Sequence, residues 1–172
     1  MEHTMKNPSC RLKAIAAASS LMLVLCSSAA IAETNEDGTA AISKGEYAQA
    51  SKIFRELADK GDATAQFSLG AMYSNGQGTA KDFQEAIKWY RLAAAQGHAG
   101  ALSSLGYMFY LGQGVAQDNV RAHMWFSLAA TKGSGIAQKL RDKLTPFMSP
   151  AQIAESKKLV TDCENSTYKE CD

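Results

Sequence analysis

Four groups of residues have the types and spacing that chemistry could use. Cys163 and Cys171, with seven residues between them, could close a disulfide or give two thiolates to a metal. Ser166-Thr167-Tyr168-Lys169 fits Ser-x-x-Lys, the arrangement of a serine nucleophile with a lysine partner. Gly76-Gln77-Gly78 and Gly112-Gln113-Gly114 look like fragments of phosphate-cradling loops. His98 and His123 are candidate ligands.

The surroundings of each group narrow its use. The Ser-x-x-Lys nucleophile requires Ser-Asp-Asn and Lys-Thr-Gly partners, and the chain has neither, so the match is a chance one and no site is assigned to it. Neither Gly-Gln-Gly follows a strand, has a third glycine or leads into Lys-Ser/Thr, so both are expected to be turns between helices. The histidines have no cysteine or carboxylate at ligand spacing and are expected on the surface or in packing. No catalytic residue, metal site or cofactor is expected.

The elements that would position these residues follow from a period of 36. Gly61, Gly97 and Gly133 share one phase, as do Ala50, Ala86 and Ala122, and Phe54, Tyr90 and Phe126. Leu69-Gly70 returns as Leu105-Gly106, Tyr73 as Phe109, and Trp89 as Trp125. Such a period marks stacked repeats, each burying its apolar face on its neighbours. Each period holds two helices: Ala65, Leu69, Met72 and Tyr73 share one helical face, and Ala86, Trp89, Tyr90 and Ala93 the next. In the second copy the faces are Ala101, Leu105, Met108 and Phe109, then Ala122, Trp125, Phe126 and Ala129. Asp82 followed by Glu85 suggests a capping box, and the glycines at 61, 97 and 133 sit where a C-cap belongs. Gly70 and Gly106 lie inside helical patterns, where glycine costs about 1 kcal/mol against alanine, so close packing is expected at both.

The frame A-x-x-x-L-G-x-x-Y/F-x-x-G-x-G followed by D-x-x-x-A-x-x-W-Y/F-x-x-A-A-x-x-G occurs at 65–97 and 101–133, after a half copy at 46–61. It resembles the Sel-one-like repeat family, a relative of the tetratricopeptide repeat, over roughly residues 39–142. The resemblance implies an all-α fold: a right-handed α/α superhelix, or solenoid, of antiparallel helix pairs that usually works as an adaptor. It also brings the possibility of weak penicillin binding or β-lactam hydrolysis, linked to some exported cysteine-rich members.

After Ala137 the frame is lost: Arg141-Asp142 replace Leu-Gly and Thr145 takes the aromatic position. Ser149-Pro150-Ala151-Gln152 then supplies an N-cap, a proline at the first helical position and a glutamine three residues after the cap. A closing helix packed through Ile153, Leu159 and Val160 is expected.

Lys6, Arg11 and Lys13 precede an apolar run at 14–30 that ends in Ala30-Ile31-Ala32 before Glu33. That pattern predicts a signal peptide cleaved between Ala32 and Glu33, with export to the periplasm, or secretion as the alternative. Leu25 before Cys26 is not the small residue that a lipoprotein signal needs. Cleavage would take three bases and one acid from the 18 and 17 of the chain, leaving 15 against 16. A net charge of −1 gives no reason to expect nucleic acid or an anionic membrane, and no second run of about 18 apolar residues could span one. In an exported chain the pair Cys163 and Cys171 favours a disulfide, since zinc wants four ligands and no histidine lies nearby.

The expected organisation is a signal peptide at 1–32, a flexible leader at 33–38, a solenoid at 39–145 with full copies near 61–96 and 97–132, a capping helix at 146–162 and a disulfide-closed tail at 163–172. By analogy with tetratricopeptide grooves, the exposed face of each first helix would carry Thr64, Phe67, Ala71 and Ser74, then Gly100, Ser103, Tyr107 and Tyr110. Phe67, Tyr107 and Tyr110 could equally pack between repeats. The expected function is a non-catalytic periplasmic module, taken as a monomer, that binds a protein partner in this groove. The alternative is recognition of a cell-envelope glycan or peptidoglycan by stacking on the same rings.

Overall fold

The helix starts from Ala63 to Gly135 are fixed by side chains at positions that recur with the period. Asp62 Oδ1, His98 Nδ1 and Ser134 Oγ each accept the backbone N–H three residues on, at 2.7, 3.2 and 3.2 Å. Asp82 and Asp118 cap the alternate helices, each accepting two N–H groups. These bonds satisfy donors that a helix N-terminus leaves unpaired. The computed structural model describes residues 33–166, 168 and 171, and among them the regular structure is helical. The expected signal segment lies outside the described residues, as does Ala32 of its cleavage site.

Among the described residues eight α-helices follow one another: α1 (Asn35–Ser43), α2 (Tyr47–Asp59), α3 (Ala63–Asn75), α4 (Phe83–Ala94), α5 (Ala99–Leu111), α6 (Asn119–Thr131), α7 (Gly135–Leu144) and α8 (Pro150–Asn165), with a 3-10 turn (Thr145–Phe147) before the last. They pack in sequence as pairs, α1 on α2, α3 on α4 and α5 on α6, and each pair on the next. The all-helical solenoid expected from the repeats is therefore the fold observed. Gly61, Gly97 and Gly133 each follow a helix end with positive φ, as their phase suggested.

The glycines inside helices mark where the two members of a pair touch. A Cβ on Gly70 would lie 2.7 Å from the Tyr90 ring, and one on Gly106 would lie 2.6 Å from the Phe126 ring. Gly38 meets Phe54 in the same way, at 2.6 Å. Phe54, Tyr90 and Phe126 are buried, as are the alanines at 50, 65, 86, 101 and 122 and the leucines at 69 and 105. Small residues let the large rings lie across the partner helix, so pair geometry is set by steric fit.

Four expectations need correction. Residues 33–38 do not form a flexible leader: Thr34 and Asp37 close a reciprocal capping box and α1 begins at Asn35. What read as a half copy is thus a complete pair with a shorter connection, since Gly38 precedes Phe54 by 16 residues while Gly70 precedes Tyr90 by 20. The closing helix is shifted as well, starting at Pro150 and running to Asn165, so that Cys163 lies in its last turn and not in a tail. At Asp82 the cap is present without the box, because Glu85 is engaged by Lys88.

Cys163 and Cys171 are joined, with Cα atoms 4.6 Å apart. Both are buried in the larger core cluster, at 0 and 8% exposure. Closing so short a loop removes about 2–3 kcal/mol of unfolded-chain entropy in the simple model. Reduction, or Cys171→Ser with Cys163→Ser, is expected to lower the thermal midpoint while the helical circular dichroism at 25 °C persists. An unchanged midpoint would show that the bridge constrains nothing the fold needs.

Candidate binding groove

The first helix of each full copy, α3 and α5, was expected to carry the binding face, and the structure separates its residues. Tyr107 and Tyr110 stand on α5 at 38 and 39% exposure. Tyr107 is also braced: its ring meets the buried Phe126 edge-on, with centroids 5.6 Å apart. Tyr110 lines a cavity of about 320 Å³ with Phe126, Leu140, Lys143, Leu144 and Phe147. Phe147, on the 3-10 turn, is 81% exposed.

The candidates on α3 fare differently. Phe67 is half-buried, stacked on His98 at 4.7 Å and beside Tyr90 at 6.0 Å, with Gly100 making room for it. It is a contact between repeats, so of its two readings packing holds. Ser74 is half-buried and bonds the Tyr90 hydroxyl, whose pKa burial raises. Ser103 is half-buried and Thr64 exposed, but neither lines the apolar cavity. Trp89 departs from its repeat mate, being half-buried beside the Arg55 guanidinium at 5.5 Å, whereas Trp125 is 2% exposed.

Leu140, Lys143, Leu144 and Phe147 were missed by the sequence reading. In the repeat phase Lys143 stands where Tyr107 does and Phe147 where Leu111 does. Extending the period one helix further would have placed Leu140, Lys143 and Leu144 on the same face, while Phe147 lies past the helix end on the 3-10 turn.

The polar candidates resolve into structural roles. His98 caps α5, and His123 is buried at 5% exposure with its ring nitrogens near Ser156 Oγ at 2.8 Å and Thr145 Oγ1 at 3.3 Å. Ser156 is fully buried, so this Ser–His pair offers no nucleophile to a substrate. Ser166 closes α8, its hydroxyl donating to the Cys163 carbonyl at 2.9 Å, while Thr167 and Lys169 lie outside the described residues. Among the described residues no group of three His, Cys, Asp or Glu side chains could hold a metal ion.

Burial lowers the pKa of both histidines; the Arg141 and Lys157 cations add to this at His123, while a backbone bond and Asp62 offset part of it at His98. The unfolded chain, with histidines near about 6.5, therefore binds protons more readily as pH falls. Stability from these two groups is complete above about pH 7 and is lost as pH drops through 6.5 and below. The midpoint is expected to fall between pH 7 and 5, and His98→Asn with His123→Gln should flatten that fall. Asp62, held below the usual carboxylate range by the Ala65 N–H and Asn35, should act only at lower pH.

With this geometry in hand, the family model described as Sel1 repeat matches residues 63–98 and again 99–134. The chain carries two Sel1 repeats. The two matches cover α3–α4 and α5–α6, and each ends on the residue that caps the next helix pair, His98 and Ser134. Solved structures agree. A protective antigen present in uropathogenic Escherichia coli strains and displaying an SLR fold is similar with a TM-score of 0.73 and 30% identity over 80% of this chain. A Sel1 repeat protein from Oxalobacter formigenes is similar with a TM-score of 0.58 and 35% identity over 62%. The chain spans 30% of the length of the first and 45% of the second. The comparison with curated proteins gave no match. Sel1 repeats generally mediate contacts between proteins, and among the described residues no helix is long and apolar enough to cross a membrane.

Proposed function

We propose that this chain is a non-catalytic periplasmic binding module that captures a protein partner through the face carrying Tyr110 and Phe147. The observation that carries the reading is the apolar cavity between α5 and α7, with one ring half exposed and another almost fully so. A folded chain rarely leaves large rings beside an apolar hollow unless something is bound there. Rings at the rim with a cavity below suit an apolar anchor on the partner, and Lys143 in the wall suits an acidic residue beside that anchor. The signal pattern before Glu33 and the Cys163–Cys171 bridge both favour an oxidising compartment.

Tyr110→Ala and Phe147→Ser are the informative variants, because exposed side chains contribute little to stability. Immobilised variants are expected to retain at most about a tenth of the partner that the unaltered chain retains from periplasmic extract, with helicity and midpoint within a few degrees, as loss of a central anchor implies. Tyr107→Ala is a weaker probe, since its edge contact with Phe126 gives it a share in stability. Equal capture by all chains would rule out this face. Saturable sedimentation with peptidoglycan, lost in the same variants, would replace the protein partner by a glycan.

A further inference from the structure

A second cavity, of about 510 Å³, lies where α6, the end of α7 and α8 meet. Arg141 and Lys157 bring two cations to its wall, Ser127 and Thr161 two hydroxyls, and Ile153 and Val160 aliphatic surface. None of its lining residues is acidic. Arg141 is engaged by Asp142 at 2.7 Å, but among the described residues no carboxylate pairs with Lys157.

The depth of the pocket is set by His123 and Thr145. Thr145 Oγ1 donates to the Arg141 carbonyl at 2.8 Å and so faces His123 Nε2 as an acceptor. The ring proton therefore sits on Nε2, and Nδ1 accepts from Ser156. A neutral imidazole is thus clamped between three elements, with Arg141 and Lys157 nearby, Asp142 as the counter-charge, and no negative group in the cavity itself.

We propose that this pocket is a binding site for a small aliphatic carboxylate, its charged end held by Arg141 and Lys157 and its hydrocarbon body against Ile153 and Val160. The volume is of the size that small-ligand pockets take. The guanidinium and ammonium supply charge-assisted donors, and Ser127 and Thr161 supply hydroxyls that can turn toward an oxyanion. The aliphatic surface is what separates an organic acid from inorganic phosphate, which has no body to bury. The site is distinct from the Tyr110–Phe147 face and does not depend on a protein partner there.

The His123 ring reports occupancy, because an anion placed beside Arg141 and Lys157 favours the imidazolium and raises its titration midpoint. The test follows the His123 ring resonances by NMR in the isolated chain, titrated with hexanoate, acetate and inorganic phosphate at constant ionic strength. Hexanoate is expected to give a saturable shift at least about tenfold tighter than either other probe, and to move the His123 titration to higher pH. Lys157→Gln, at an exposed position, and the double variant with Arg141→Gln should each weaken hexanoate binding, the double variant by about tenfold or more. No saturable shift with hexanoate, equal response to all three probes, or undiminished affinity in the variants would each overturn the assignment. Lys157→Gln alone keeps the test open if the double variant fails to fold.

Discussion

Replacing Trp125 with alanine is expected to remove about 3–5 kcal/mol of stability, as the loss of a fully buried indole does. Its ring belongs to the larger core cluster, in company with Leu144, Met148 and the disulfide, and it is 2% exposed. A domain of this size holds about 5–15 kcal/mol in all, so the loss takes a large share of the total and the thermal midpoint should fall by about 10 °C or more. Trp89→Ala, at the equivalent position one repeat earlier, is expected to cost less, about 1–2 kcal/mol from partial burial and the Arg55 contact. Urea titrations of the two variants check this directly. Equal midpoints would mean that repeat phase, and not local burial, decides the cost.

Gly78→Ala should be nearly as damaging although it adds one methyl group to a turn. Gly78 has φ +70, and a Cβ there would stand 2.2 Å from the Tyr47 carbonyl oxygen. The left-handed conformation costs an ordinary residue about 1–2 kcal/mol, and the overlap is with backbone that cannot swing aside, adding about 1–3 kcal/mol. Gly135→Ala has the opposite expected sign: nothing lies within 4 Å and the residue is helical, so a gain of up to about 1 kcal/mol is expected. A thermal melt of both variants compares the two signs; destabilisation by Gly135→Ala would show that the helix start of α7 is strained.

The repeats were legible because several independent residue types keep the same phase: helix-start aspartates at 82 and 118, helix-end glycines at 61, 97 and 133, and rings at 54, 90 and 126. Each acts locally, on a backbone donor, a left-handed turn or a facing glycine, so the pattern survives without knowledge of the tertiary fold. Helix α1 was hidden because Asp37 stands where Leu69 and Leu105 do, and the shorter connection breaks the phase. Its burial comes from Gly38 fitting under Phe54, a contact that shape creates and hydropathy does not register. The binding face was half legible. Tyr110 was visible as an aromatic in a tolerant position, but its partner Phe147 sits beyond Thr145-Pro146, where the frame has already dissolved into a 3-10 turn. Trp89 and Trp125 show the same limit in the core: an identical phase gives different burial, because phase fixes direction and not the depth of what lies above.

The seam at Gly78 repeats as well. Gly114 presses on the start of α4 at Phe83 as Gly78 presses on the start of α2 at Tyr47, both across 31 residues. Gln84 reaches the Gly114 carbonyl across that second seam. Each unit therefore offers on its trailing edge the surface that its own leading edge accepts. A tandem duplication of one 36-residue segment would meet two matching joints and need no new contact. Copy number in such a gene can drift by whole units at little cost to folding, which fits structural relatives of much greater length than this chain.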